Sequence, residues 1–275
     1  MASLLPATTH IRLEREGPVL RLWLNRPETR NALSGDMVRE IQATLDAVRD
    51  DRSVRVIVVR GAGGTFCAGG DIKNMQASGA AAVAGATDEL RAGNRRYGAM
   101  LAAMNEAPQA VIAVVEGAAM GGGIGFASVA DITIAMADAQ FAMTEVMLGI
   151  VPAAISPFVV RRIGLTAARR FAVSGARLDG RAARDVGFVH EVADDAVKLE
   201  ALVTAQITQI LKCAPGAVAE TKRLMLRAAT SMPMTELLEH AADSFAAAVR
   251  GPEGREGTAA FVEKRKPHWV EKVGS

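Results

Sequence analysis

An α/β fold is predicted by three features of the sequence. Two β-branched runs, VRVIVVR at 54–60 and VIAVV at 111–115, read as buried strands, and each gives way to glycines that lead toward a helix. From residue 10 to residue 193 a strand, strand, helix pattern repeats, whereas from 194 onward the chain reads as almost entirely helical. Half of the residues are hydrophobic, 4% are aromatic and 26 are glycine. That composition fits a close-packed α/β enzyme and no disordered class.

Residues 10–16 and 18–25 are expected to be short strands joined at Gly17-Pro18, and Asn25-Arg26-Pro27 breaks the run. Ser34 suits the N-cap of a helix over 35–49, where Met37, Ile41, Leu45 and Val48 share one face. The strand at 54–60 runs into GAGGTFCAGGDIK, and Asp71 falls where a helix would begin and a carboxylate complements its dipole. Residues 76–86, rich in alanine and glycine, fit either a flap over a pocket or a weak helix. A helix over 87–105 ends before Pro108. After the 111–115 strand, Gly121-Gly122-Gly123 opens a helix of small residues. Short helices over 152–162 and 165–173, a helix capped by Asp179 through Val186, and a strand near 188–192 complete this part. Helices over 194–212, 215–231, 234–250 and 252–264 follow, with Pro215, Pro233 and Pro252 at three of their starts.

The glycine run at 121–123 lets the backbone approach a ligand and aims N–H groups at it from the positive end of a helix. Such a place binds a phosphate or stabilises an oxyanion that develops in a reaction. A dinucleotide GxGxxG is absent, because Gly121 and Gly123 lead to Phe126, and Gly123 and Gly125 lead to Ser128. No GxxxxGK[ST] occurs either, so the sequence favours the oxyanion, with tight helix packing as the ligand-free alternative. The second glycine stretch, after residue 60, supplies a partner: two strand-to-helix junctions can deliver two N–H donors to one carbonyl oxygen.

A net charge of +2 with dispersed basic residues makes no case for nucleic acid. The two cysteines, Cys67 and Cys213, form no disulfide framework, which fits a reducing cytoplasm. Cys67, beside a glycine loop, is either a reactive thiol or a small filler. Four scattered histidines without an acidic or Cys/His cluster argue against a metal site. A signal peptide or membrane span is not expected.

The segments LNRPETRNAL at 24–33, FCAGGDIK at 66–73, GAAMGGGIG at 117–125, ADITIA at 130–135, FAMTEVMLGIVP at 141–152 and REGTAAFVEKRKPHW at 255–269 resemble, in order and spacing, the crotonase (enoyl-CoA hydratase/isomerase) superfamily. The resemblance implies a crotonase (ClpP-like) spiral of ββα turns over 1–193 and a C-terminal helical trimerisation region over 194–275, assembled as a homotrimer or homohexamer. It also implies an acyl-CoA substrate, with coenzyme A entering only as part of the thioester and no separate cofactor. Carried over by motif, the oxyanion donors are the N–H groups of Gly70 and Gly122, and the acid/base is Glu145. Arg30, Ala68, Asp71, Ile72, Phe261 and Lys264 fall along the coenzyme A path, Lys264 reaching a phosphate from its own or a neighbouring subunit. Gly125, Met147 and Pro152 fall at the acyl pocket, while Asp131 and His190 read as structural.

One position departs from the pattern. Familiar enoyl-CoA hydratases resembling this chain carry a second glutamate where Gly125 stands. Glu145, flanked by Met143, Val146, Met147 and Leu148, is either a carboxyl in an apolar pocket or a solvated one at a helix start. Three chemistries remain open: hydration with Glu145 as the sole acid/base, double-bond isomerisation by the same shuttling carboxyl, or acyl-CoA binding without turnover. The PAAISPFVV segment at 152–160, the glycine pattern and the C-terminal motif resemble bacterial branched glutaconyl-CoA hydratases, acting on 3-methylglutaconyl-CoA or isohexenylglutaconyl-CoA. The missing side chain at 125 is expected to leave room for the branch, and Arg91, Arg95 and Arg96 are candidates for the extra carboxylate or simply an exposed basic face.

Overall fold

The structure, a computed structural model, describes residues 5–72, 76 and 88–270. The expected flap or weak helix at 76–86 lies, apart from residue 76, outside them.

The first sheet has six strands: β1 (Ile11–Glu16), β2 (Val19–Leu24), β3 (Val56–Gly61), β4 (Ala110–Val115), β6 (Ile132–Met136) and β9 (Glu191–Ala193), in that spatial order. Only β1 and β2 pair antiparallel, as a tight hairpin at Gly17 allows; every other neighbour is parallel. Parallel strands are covered on both faces, and that is why the stretches 56–59 and 111–115 are continuously apolar. Within β4 the side chains alternate between two cores: Val111, Ala113 and Val115 face one, Ile112 and Val114 the other.

A second sheet consists of β5 (Ala118–Met120), β7 (Gln140–Ala142) and β8 (Arg177–Leu178). Parallel bridges at Cys67 to Ala119 and Leu33 to Gly70 continue it through the first glycine loop. The helices that follow are α1 (Gly35–Val48), α2 (Glu89–Asn105), α3 (Gly122–Val129) and α4 (Ser156–Ser174). The repeat is therefore a strand in the first sheet, a bridge or short strand in the second, then a helix. This is the spiral of ββα turns that the resemblance implied, and it excludes a doubly wound sheet because β5 and β7 leave the main sheet. The three second-sheet strands, only two or three residues each, had no readable period and were not anticipated.

Caps fall where polar residues predicted them. Ser34 Oγ accepts the Met37 N–H at 3.2 Å, and Asp179 Oδ1 accepts the Ala182 N–H at 2.8 Å, opening α5 (Gly180–Asp185). The two helices expected at 152–162 and 165–173 are one element that begins at Ser156 and is broken at Gly164, whose φ of 73° and ψ of 160° suit only glycine.

After β9 come α6 (Ala196–Ile210), α7 (Pro215–Ala228), α8 (Met234–Arg250) and α9 (Pro252–Val262). The first of these buries Leu199, Val203 and Ile207 against Val56, Val58, Ile112 and Val114. The boundary expected at 193/194 thus falls inside a shared core, because the second face of a parallel sheet needs its own cover. By contrast α7 and α8 bury no residue fully. None of the described helices is long and apolar enough to cross a membrane.

Candidate active site

The first glycine loop is held from both sides. Cys67 N–H donates to Ala118 O at 2.8 Å and Met120 N–H to Cys67 O at 2.9 Å, which fastens the loop to β5. Ala68 N–H donates to Arg30 O at 2.9 Å, Leu33 N–H to Gly69 O at 2.8 Å, and Asp71 N–H to Leu33 O at 3.2 Å. Because Gly69 O and Asp71 N both face Leu33, the N–H of Gly70 between them points the other way. Asn31 braces this arrangement from beneath, fully buried and with φ of 57°. Its Oδ1 accepts from Arg26 N–H at 2.9 Å, and its Nδ2 donates to Ala62 O at 2.8 Å and Thr65 O at 2.6 Å.

The second loop closes on the first. A Cβ added to Gly69 would stand 3.0 Å from Met120 O and 3.6 Å from Gly122 N, so the two chains pass in contact. Gly121 donates its N–H to Ala142 O at 2.8 Å and takes φ 47°, ψ −116°, which no side chain would tolerate there. Gly122 is the first residue of α3, so its N–H has no acceptor within the helix. Among the described residues neither Gly70 N nor Gly122 N has a backbone acceptor.

Glu145 stands over this junction. It opens a single 3₁₀ turn, Glu145–Leu148, directly after β7, and a Cβ on Gly121 would lie 2.9 Å from its Oε1. Its Oε2 is buried without a hydrogen-bond partner among the described residues. Burial raises the carboxyl pKa above its ordinary 4.5, opposed in part by a hydrogen bond from the residue's own backbone. The carboxyl therefore turns inward, while Met147 and Leu148 after it are exposed. Of the two sequence readings of Glu145, the structure supports the desolvated one.

The space beside Gly125 is not empty. A Cβ there would collide with the Tyr97 hydroxyl and lie 2.8 Å from Leu101 Cδ1 and 2.9 Å from Ile155 Cγ2. The expectation that glycine at 125 leaves room for a branched substrate is thus corrected: the chain's own Tyr97, from α2, fills the place. The Tyr97 hydroxyl donates to Gly122 O. Its pKa is pushed well above 10 by burial first, then by the repulsion a phenolate would meet from the neighbouring Cys67 and Glu145 acids. Sequence reading missed both Tyr97 and Asn31. Tyr97 is the chain's only tyrosine and is spaced i, i+4 from Leu101 on one helix face, a signal legible only once Gly125 is known to face that helix.

The remaining predicted residues divide. Arg30 and Ala68 are brought together by their backbone hydrogen bond, with the Arg30 side chain exposed. Asp71 pairs with Arg26, its Oδ2 at 3.3 Å from Nη2, so its carboxylate braces the loop. Ile72 is exposed beside it, and Pro152 is partly buried. Met147 packs against Gly175, its Cγ 3.2 Å from where a Cβ would be. Phe261 and Lys264 sit at the end of α9, with Phe261 85% exposed. Cys67 is fully buried and its thiol is pushed up to about 12, mainly by burial, which makes it a filler and not a nucleophile.

Two further residues are structural. Asp131 Oδ2 accepts from Val111 N–H at 2.7 Å and from Lys222 at 2.6 Å. His190 Nδ1 accepts the Thr133 N–H at 2.9 Å. Arg91, Arg95 and Arg96 are exposed, Arg96 pairing with Glu89 at 3.3 Å. No cluster of three metal-ligating side chains occurs among the described residues.

A ββα spiral with a buried carboxyl over two adjoining glycine junctions defines an enzyme of the crotonase class. The chain belongs to the enoyl-CoA hydratase/isomerase family, whose profile matches residues 14–272. Its structure is similar to that of Pseudomonas aeruginosa AtuE, with 52% identity, a TM-score of 0.92, and coverage of 96% of this chain and 100% of that one. A Marinobacter aquaeolei enoyl-CoA hydratase/isomerase follows at 47% identity and a TM-score of 0.91, covering 95% and 99%. The human enoyl-CoA hydratase domain-containing protein 2, mitochondrial, is 32% identical over 92% of this chain and 86% of its own.

Proposed function

We propose that this enzyme adds water to the double bond of an α,β-unsaturated acyl-CoA, with Glu145 as the only side-chain acid/base. The observation that carries this reading is Glu145 Oε2, buried and without a hydrogen-bond partner among the described residues, beside Gly121 where the two glycine loops meet. The thioester oxygen accepts the two main-chain N–H groups, and each such donor contributes roughly 3–4 kcal/mol to stabilising the enolate. Ionised Glu145 takes a proton from water as the water oxygen bonds to the β-carbon, then returns that proton to the α-carbon. Arg30 and the Ala68 carbonyl lie along the coenzyme A path, joined there by Asp71, Ile72, Phe261 and Lys264, and no separate cofactor takes part. Pro152 and Met147 lie toward the acyl chain.

The substrate is a branched glutaconyl-CoA, 3-methylglutaconyl-CoA or isohexenylglutaconyl-CoA, a reading supported by the 149–164 segment and the C-terminal motif. Its additional carboxylate needs a cation. On the α2 wheel Arg91 lies close to Gly98, and a Cβ on Gly98 would be 3.7 Å from Ala154 Cβ beside Pro152. Arg95, three residues before Gly98, shares that side of the helix, so Arg91 and Arg95 are better placed than Arg96. Isomerisation is the second reading, favoured by the presence of one carboxyl where family hydratases resembling this chain have two.

The test is incubation with each glutaconyl-CoA in ¹⁸O water. Label in a 3-hydroxy product, lost when Glu145→Gln lowers kcat by about 10²–10⁴ with thioester binding kept, is expected. An unlabelled, shifted alkene from a 3-enoyl-CoA, with neither glutaconyl thioester hydrated, would establish the isomerase instead.

A further inference from the structure

We propose that the Tyr97 hydroxyl holds the water that adds to the β-carbon, standing in for the carboxylate that Gly125 cannot carry; this rests on the hydratase reading above. Three observations carry it. A Cβ at 125 would overlap the hydroxyl, so the tyrosine oxygen stands in the space that a side chain from 125 would enter and offers a hydrogen-bonding oxygen there. The hydroxyl hydrogen is committed to Gly122 O, which leaves an oxygen lone pair to accept one hydrogen of that water. Finally, Tyr97 and Glu145 approach the same peptide: a Cβ on Gly122 would lie 3.6 Å from the tyrosine oxygen, and one on Gly121 2.9 Å from Glu145 Oε1. Tyrosine and glutamate thus both lie close to the Gly121–Gly122 segment whose N–H receives the thioester.

The chemistry balances without ionising the phenol. One O–H bond of the water breaks and its proton passes to Glu145, while the other hydrogen stays bonded toward Tyr97. The oxygen–β-carbon bond forms, the alkene electron pair moves to the thioester oxygen, and Glu145 delivers the proton to the α-carbon. Tyr97 keeps its proton throughout, consistent with a phenol whose buried surroundings resist ionisation.

The test separates water addition from proton transfer. Two rates are measured in wild type and in Tyr97→Phe: hydration of the enoyl-CoA, and exchange of the α-proton of the corresponding saturated acyl-CoA in D₂O. Exchange uses the two N–H donors and Glu145 but adds no water. The proposal expects hydration kcat to fall about 10- to 100-fold, as loss of one hydrogen bond to a reacting group implies. It expects KM and α-exchange to stay within about threefold, a split that a purely structural tyrosine does not produce. Equal loss of exchange and hydration would mean that Tyr97 only supports Gly122, and unchanged hydration would make it a bystander; either overturns the proposal. Wild type that exchanges α-protons yet hydrates no enoyl-CoA would overturn the hydratase reading itself, and with it this one, before any variant is compared.

Discussion

Burial of Glu145 has opposite consequences for chemistry and for stability. Desolvation makes its carboxylate a stronger base than a surface glutamate, which suits taking a proton from water. The acid limb of kcat/KM should therefore lie above pH 4.5. For stability the sign is reversed. Between the unfolded value and the raised native one, the folded chain binds more protons than the unfolded chain, so stability is lost as pH rises through that window. The loss is complete above the native pKa. Glu145→Gln removes the ionisable group, so its Tm should gain on wild type as pH is raised and equal or exceed it at pH 8. Thermal unfolding across pH 4–8 checks this, and a wild-type advantage that grows with pH would show the carboxylate to be stabilising.

The element most exposed to a single change is the first glycine loop, because one buried side chain satisfies three main-chain groups around it. Asn31 ties Arg26 N, Ala62 O and Thr65 O together at 2.6–2.9 Å. Asn31→Ala leaves those main-chain groups without partners in a largely buried place and puts alanine at φ 57°. The expected cost is about 3 kcal/mol, with kcat falling because Gly70 loses its fixed direction. Tm and kcat measured together decide the point, and an unchanged Tm would remove Asn31 from the loop's support. Gly164 illustrates the same logic in α4. A single glycine conformation there divides Ser156–Ser174 into two helical halves.

At the scale of the whole molecule, α7 and α8 leave much apolar surface uncovered. Met225, Met234, Leu238 and Phe245 are each more than half exposed, and the end of α9 adds Phe261 and Val262. Such surface is uncommon on a monomer. The homotrimer or homohexamer proposed from the family resemblance would cover it and would allow a neighbour's α9 end to bring Lys264 toward coenzyme A phosphates. Light scattering at micromolar concentration should return three or six times the chain mass, and a monomer would sink the assembly and the shared site together.

The sequence determined what depends on local chemistry and order. The β-branched runs, the caps at Ser34 and Asp179, the prolines at the starts of α7 and α9, and the motif order fixed the strands, helices and spiral. Glu145 and the two glycine loops were legible for the same reason, since each lies in a contiguous motif. What lay beyond it needed contacts between distant segments. Short strands of two or three residues carry no period, and they exist because neighbouring strands of the same chain supply their hydrogen bonds. The stripe of Leu199, Val203 and Ile207 marks a buried face on α6, but that it covers the second face of this sheet follows from the sheet's need for a second cover. Gly125 read alone suggested a vacancy, and only the packing of α2 across α3 shows that Tyr97, 28 positions earlier, occupies it. A sequence records which side chain is missing at a position, but which neighbour takes up its volume is decided by close packing in three dimensions.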